Sequence, residues 1–453
     1  MPNSKMVIAL EERFTQNRGL FTCGKDTKPN GEACVVFSNA PRDLVSVFQI
    51  AIAANCSAVI CSGEWGQYTT QMIFAQAAKL RLFLQQEFRV RTGDRIAISL
   101  CNRPEFIVAL VAVTSLGATA VLINNCNGDY ESNWTNETGC RLIISEMYAL
   151  DEQAGNSEHG PVIISQILAG VPQHSRRLTE IVKGAKHEVL PLVPVAPDVD
   201  GVIAFTSDRS GRPKGAILTH RAIVTGVINA MLASELANAG SASSVFSLRR
   251  HLPTLLLSPL SHISGLSDFL QQALVGGRVV LRKSDVSGTV ASLIQQEKVG
   301  SIVGVTAELA NELVEAANCY DLSSLKNLYF GSAELPCELV HDLRKAVPSA
   351  IVSTSYGFNE TAGVVCSMAG DGVLETPKTF GRVLPTVEIK ITDSKQNRIE
   401  DGEVGEIWIR GAMLFRDYLA PYKAEFRDGW FNTGDTGFLT ADRFLAIVDF
   451  AKY

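Results

Sequence analysis

Thr206-Ser207-Asp208-Arg209-Ser210-Gly211-Arg212-Pro213-Lys214-Gly215 crowds hydroxyl side chains, glycines and a lysine into ten residues. It follows a short apolar run, Val202 to Phe205, that reads as a buried strand, and it precedes an apolar stretch from Ile217 that reads as a helix or a second strand. A polar loop leaving a strand is where backbone N–H groups gather around phosphate oxygens. Thr206, Ser207, Ser210 and Gly211 supply small hydroxyls and open backbone, and Lys214 supplies a mobile positive charge. By itself the segment also fits a polar surface turn with a Pro-Lys-Gly tip.

Outward from this loop, helix and strand patterns alternate. Upstream, apolar Met72, Phe74, Ala75, Leu80, Leu82 and Phe83 suit an amphipathic helix over Thr69 to Phe88, and Arg95 to Leu100 suits a strand. Phe106 to Ile123 carries no charge and is the one membrane-like run. Asn102, Pro104 and Glu105 read as a helix start and Gly117 as its end, which splits the run into a buried helix and a strand from Ala118 to Ile123. Arg141 to Ser145 reads as another strand. Downstream, strands are expected at Thr254 to Ser258, Arg278 to Leu281, Ser301 to Val305, Leu328 to Gly331 and Ile351 to Ser355, with helices between most of them.

That alternation predicts an α/β fold with two helix-flanked, mainly parallel sheet subdomains. From Pro385 the texture changes to short alternating strands, Val387 to Ile391 and Glu406 to Arg410, which predicts a small β-barrel-like subdomain. The expected division is an irregular, divergent extension over 1–45, a first α/β subdomain over 46–195, a second over 196–384, and the β subdomain over 385–450. Pro191 to Pro197 marks the expected break between the first two.

At 453 residues, 46% apolar and 19% charged, the chain suits a soluble globular protein with sizeable cores and excludes a coiled coil. A net charge of −6 with both signs interspersed leaves no basic stripe for nucleic acid and no polybasic membrane patch, so small-molecule partners are expected. Ten cysteines without a C-x-x-C pair predict reduced thiols, no zinc site and a cytoplasmic location. Met1 to Arg18 is charged throughout and predicts neither a signal peptide nor an anchor.

Four further segments follow the loop in order: Pro259-Leu260-Ser261-His262-Ile263-Ser264-Gly265, Gly331-Ser332-Ala333, Tyr356-Gly357-Phe358-Asn359-Glu360-Thr361, and Gly429-Trp430-Phe431-Asn432-Thr433-Gly434-Asp435. Together with the loop they resemble the signature segments of the adenylate-forming (AMP-binding) superfamily, and within it the large N-terminal domain of acyl-CoA synthetases and aryl-CoA ligases. The resemblance runs from about Tyr68 to Lys452. It implies that a fatty or aryl carboxylic acid without an α-amine is joined to ATP, with Mg²⁺, as an acyl-adenylate and then passed to CoA.

It also implies roles. Thr206, Ser207, Ser210, Gly211 and Lys214 would hold phosphates, and His262 would lie at the carboxylate pocket. Gly331, Ser332 and Ala333 would let the backbone approach the adenine, on which Tyr356 would stack beside Gly357 and Asn359. Glu360 would offer Mg²⁺ a hard oxygen, Asp435 would bind both ribose hydroxyls, and Lys452 closes the hinge pattern.

The chain departs from the family pattern where Asp208 stands for a glycine, Arg209 for a hydroxyl residue, Asn359 for a threonine and Phe450 for the hinge arginine. Added negative charge and a lost cation predict weakened ATP affinity and little unaided adenylation. The family's small C-terminal swivel domain is expected to be absent from the chain. Two alternatives stay open: a non-catalytic relative that binds acid or nucleotide, and one half of a split ligase completed by a separate small-domain partner.

Overall fold

The computed structural model describes residues 11–16, 19–124, 138–145, 162–164, 176–185, 192–206, 214–238, 251–282, 289–331, 335–376 and 378–450. Its apolar runs bury both faces of their strands. Ile96 and Ile98 point into the main core, while Ala97 between them joins Val121, Ile143 and Ile203 in a separate cluster on the other face. This period of two with no wet face is what parallel sheets covered on both sides require.

The first sheet has eight strands in the order Asp417–Tyr418, Gly215–Thr219, Asp200–Phe205, Thr119–Leu122, Arg95–Ser99, Leu142–Ser145, Val162–Ile164 and Arg176–Arg177. Pairings are parallel from Asp200–Phe205 onward. The second has nine, in the order Arg382–Val383, Gly363–Ala369, Ile351–Phe358, Asn327–Phe330, Ser301–Val305, Thr254–Leu256, Val279–Leu281, Val59–Gly63 and Gly66–Thr69. Its central strands, from Ile351–Phe358 through Val59–Gly63, are parallel. The third sheet is antiparallel and pairs Val387–Thr392, Gly405–Gly411 and Trp430–Leu439, with Phe426–Arg427 and Leu445–Asp449 both on the last of these.

Sheet membership does not follow chain order. Val59–Gly63 and Gly66–Thr69 complete the second sheet, and Asp200–Phe205 and Gly215–Thr219 the first, so strands cross the break expected at 195/196. A parallel strand cannot pair with its sequence neighbour through a tight turn, so each open edge is filled by whichever segment returns to it. Before Val45, where no regular structure was expected, Cys23–Thr27 and Ala33–Phe37 form a hairpin. Its strands are only five residues each, and the first places Lys25 and Asp26 inside its run, which hides its period. Arg221 ties the hairpin down by bonding both Asp26 and Asp198.

Helices start where short polar side chains accept the free N–H groups of the first turn. Asp43 caps Leu44–Asn55, Thr69 caps Thr70–Gln86 and Thr219 caps His220–Ala237. In Thr70–Gln86 the buried face is Ile73, Phe74, Ala77, Ala78, Leu80 and Leu84, whereas Met72 and Leu82 face outward. The charge-free run becomes the helix Pro104–Thr114 and the strand Thr119–Leu122, joined through Gly117 at φ +71°. Eleven residues span about 16 Å, half of what a membrane crossing needs. Among the described residues no helix is long and apolar enough to cross a membrane.

One core group makes the fold acid-sensitive. His220 is fully buried, its Nδ1 accepts from Leu44 N at 3.1 Å, and its Nε2 has no partner among the described residues. Burial lowers its pKa from 6.5 to about 4, with the nearby Asp43 charge opposing. The folded protein keeps this imidazole neutral, so the unfolded chain binds the extra proton. The stabilisation is complete above pH 6.5 and is lost as pH falls toward 4, about 3 kcal/mol over the window. His220→Asn keeps an acceptor for Leu44 N without a titrating proton. Urea midpoints from pH 7 to 4.5 should therefore fall more steeply for the native chain than for the variant, and equal slopes would refute the assignment.

Candidate active site

A cavity of about 820 Å³ opens where Ser301–Val305, Asn327–Phe330 and Ile351–Phe358 end. The carboxyl ends of parallel strands are where such folds place ligands, because turns there leave backbone and side chains converging on a crevice. Thr206, His262, Gly331, Tyr356, Gly357, Asn359, Glu360 and Asp435, all singled out from sequence, line this cavity. Ser207, Ser210, Gly211, Ser332, Ala333 and Lys452 lie outside the described residues, as do Asp208 and Arg209. Phe450 also lines the cavity, its ring 5.9 Å from that of Phe380.

Asp200–Phe205 and Gly215–Thr219 form an antiparallel pair, which brings the two ends of the intervening loop together. Thr206 N donates to Lys214 O at 3.0 Å, and Lys214 N donates back to Thr206 Oγ1 at 3.2 Å. Lys214 Nζ lies 5.6 Å from the ring centroid of Tyr418 and 5.7 Å from that of Tyr422, a favourable seat for a cation.

Glu360 sits in the single turn Asn359–Thr361 at the end of Ile351–Phe358. It is buried, and Tyr418 Oη donates to its Oε1 at 2.7 Å. Burial pushes its carboxyl above the usual range, while the Tyr418 bond and the charge of Lys214 pull the other way. A cation arriving at this carboxylate would favour the ionised form further.

Asp435 projects from Trp430–Leu439, its backbone N bonded to Thr433 Oγ1 at 3.1 Å. Tyr356 Oη donates to Asp435 Oδ2. Tyr356 is only 1% exposed, with Phe358 edge-on at 5.5 Å and Phe380 at 6.2 Å. The ring is thus packed among aromatic neighbours at the cavity wall, and its hydroxyl bonds Asp435. Burial and the neighbouring Asp435 charge hold the phenol well above its ordinary pKa, so it stays a donor.

Two asparagines fasten the motifs to one another. Asn359 Nδ2 donates to Phe205 O at 2.7 Å and its Oδ1 accepts from Ile263 N at 3.2 Å, linking the loop strand, the glutamate turn and the histidine segment. An amide can make both bonds because it carries a donor and an acceptor. Asn102, expected to help start a helix, instead bonds Ser258 O at 3.0 Å and Leu260 N at 2.6 Å, while Arg103 takes the cap position. Together they fix His262, the cap residue of Ile263–Val275, whose Nδ1 accepts from Ser264 N at 3.2 Å. The imidazole faces the cavity lumen, where water reaches it, yet the crowding walls lower its pKa and favour the neutral ring.

Among the described residues no three His, Cys, Asp or Glu side chains converge as a metal cage. Glu360 offers one carboxylate beside a roomy cavity, which suits Mg²⁺, an ion that takes one or two protein oxygens and completes its shell with water and substrate phosphates. Tyr418 and Asn102 carry no motif in the sequence. Each acts through a bond to a residue far along the chain, and only the assembled fold reveals it.

A family model described as AMP-binding enzyme matches residues 48–419. The chain is 28% identical over 369 residues to the 2-succinylbenzoate–CoA ligase of Bacillus licheniformis, covering 80% of this chain and 70% of that protein. It is 30% identical over 382 residues to 4-coumarate–CoA ligase 1 of Solanum tuberosum, covering 80% and 67%. Against the o-succinylbenzoate CoA synthetase of Bacillus subtilis in complex with ATP and magnesium ion, the TM-score is 0.72 at 23% identity, covering 89% of this chain and 79% of that one. At that identity the likeness is one of fold.

Proposed function

The chain belongs to the AMP-binding enzyme family, and from that premise we propose that it activates a fatty or aryl carboxylic acid with MgATP, as an acyl-CoA ligase does. The observation that carries the reading is the meeting of Glu360, Asp435, His262 and Thr206 in one cavity, from segments spread over more than two hundred residues, with Lys214 bonded to Thr206 at its edge. Two of the relatives are named as CoA ligases, and one solved relative holds ATP and magnesium.

In this reading Lys214, Thr206 and the loop residues Ser207, Ser210 and Gly211 hold the phosphates, and Asp435 accepts from the ribose hydroxyls. Gly331, Ser332, Ala333 and Gly357 line the adenine, Asn359 and Tyr356 brace the site, and Lys452 belongs to the hinge. Glu360 would hold Mg²⁺, which when bound supplies positive charge to the phosphates. His262, neutral at the cap of Ile263–Val275, marks the place of the acid's carboxylate. A carboxylate oxygen bonds to the α-phosphorus as the bond to pyrophosphate breaks, giving acyl-adenylate. The chain's part is to align these anions and to offset charge as it moves onto pyrophosphate.

Transfer to CoA, the small domain it needs, a separate partner that would supply that domain, and a cytoplasmic location are proposals for the whole protein. The chain spans about two thirds of the two named ligases. The test is acid-dependent exchange of labelled pyrophosphate into ATP, across a panel of aryl and fatty acids. Exchange above the acid-free level, lost in Lys214→Ala, is the expected result. ATP binding without exchange on any acid would favour the non-catalytic relative, and Asp208 and Phe450 are the residues that favour that second reading.

A further inference from the structure

A second cavity, of about 140 Å³, lies between the hairpin Cys23–Thr27 with Ala33–Phe37 and the opening turns of the helix His220–Ala237. It shares no lining residue with the larger cavity. Three cations line it, Lys25, Arg42 and Arg221, against the single carboxylate of Asp26. Arg221 is only 11% exposed and gives Nε and Nη2 to Asp198, each at 2.8 Å, and Nη1 to Asp26. A guanidinium carries five N–H donors, so two remain after those three bonds. Lys25 and Arg42 are exposed and make no ion pair among the described residues. Thr225, 6% exposed, lines the cavity as well. Inside a helix a threonine hydroxyl commonly turns to the carbonyl one turn back, as Thr114 does to Leu110 at 2.7 Å. Among the described residues the Thr225 hydroxyl has no such partner.

We propose that this cavity is a site for a small oxyanion of the phosphate class, as the free ion or as the end of a phosphate monoester, and that its occupant clamps the hairpin onto the helix His220–Ala237. The inference stands apart from the ligase reading, because none of its residues belongs to the proposed active site. Volume limits the ligand. At about 30 Å³ per water the space equals four or five waters, well under the roughly 300 Å³ at which pockets for drug-sized molecules begin. Charge sets its sign, since the three cations exceed Asp26 and Asp198 by one. The donors set its shape. An ammonium from the hairpin, a guanidinium from the segment before Leu44–Asn55, and a guanidinium and a hydroxyl from His220–Ala237 come from three elements. Such a set suits an oxyanion with acceptors on every side better than a flat carboxylate. The first amides of the helix are already taken, Arg221 N by Pro197 O at 2.7 Å and Ala222 N by Thr219 Oγ1 at 3.1 Å, so side chains hold the ion.

The test follows hydrogen exchange of the hairpin amides, together with thermal unfolding, on the full chain in inorganic phosphate and in sodium chloride of equal ionic strength. Phosphate should slow exchange in Cys23–Thr27 and Ala33–Phe37 and raise the unfolding temperature, and chloride should do neither. Lys214→Ala, which weakens any phosphate binding at the larger cavity, should leave both effects in place. The double substitution Lys25→Gln with Arg42→Gln, at two exposed positions, should weaken phosphate roughly tenfold. Thr225→Val, which removes one hydroxyl, should weaken it by about fivefold. Glycerol 3-phosphate run in parallel separates the two sources. Tighter binding than phosphate assigns the site to a monoester end, and weaker binding assigns it to the free ion. Hairpin protection that survives the double substitution, disappears in Lys214→Ala or is matched by chloride overturns the inference, as does a native chain that binds neither phosphate nor the ester.

Discussion

Asp435→Ala is expected to raise the dissociation constant for MgATP by about a hundredfold to ten-thousandfold. A hydrogen bond to a charged group is worth about 1.5–3 kcal/mol, and the proposed ribose contact makes two on one carboxylate. The substitution also removes the acceptor that Tyr356 Oη uses. A buried tyrosine hydroxyl loses its charged partner, so the melting temperature should fall too. Asp435→Asn separates the two effects, since its carbonyl still accepts from Tyr356 but carries no charge. It should restore stability while recovering only part of the affinity. Titration calorimetry on the three proteins reads this directly. An unchanged dissociation constant in Asp435→Ala would remove the ribose from this carboxylate and send the nucleotide elsewhere in the cavity.

What the sequence revealed follows from how each signal is encoded. Strands such as Ser301–Val305 and Asn327–Phe330 were legible because a strand buried on both faces must be a short apolar run, and turn residues bound it. Glu360 and Asp435 were legible because each sits in a short run of characteristic residues. The hairpin Cys23–Thr27 with Ala33–Phe37 was not, since its strands are short, the first carries Lys25 and Asp26 in its middle, and it is held partly by Arg221, nearly two hundred residues away. The exchange of strands between sheets was equally hidden. Local pattern tells a segment to be extended, but only the free edges of the assembled sheet say beside which neighbour.

Within the site the same division holds. Residue type predicted which groups bear charge, but orientation came from partners the sequence does not point to. Tyr356 reads only as a stacking ring, and the fold adds what the sequence could not show, that its hydroxyl bonds Asp435 while Phe358 and Phe380 pack beside it. Asn359 reads as a mild departure from a threonine until its amide is seen joining Phe205 O to Ile263 N. Tyr418 reads as nothing in particular, yet it bonds Glu360 and underlies Lys214, so it touches both proposed charge centres.

Gly226→Val should destabilise the protein by about 3 kcal/mol and weaken MgATP binding, although Gly226 touches no ligand. The residue lies inside the helix His220–Ala237, where glycine is ordinarily a poor choice and Ala would gain about 1 kcal/mol. A Cβ at this position would stand 2.0 Å from Ala362 O and 2.8 Å from Ala362 C. These are backbone atoms, so no rotamer change relieves the clash. Ala362 follows directly on the turn that carries Glu360 and itself holds φ +48°, a conformation with little room to adjust. Pushing it outward moves Glu360 against Tyr418, and a shift near 1 Å is enough to spoil a metal ligand. Even Gly226→Ala should therefore lower the melting temperature, the opposite sign to an exposed helical glycine. Gly19→Ala, where a Cβ meets nothing within 4 Å, serves as the control and should leave it unchanged. If Gly226→Ala instead raises stability, the helix has room to spare, and the position of Glu360 must be set by Tyr418 and Phe415 alone.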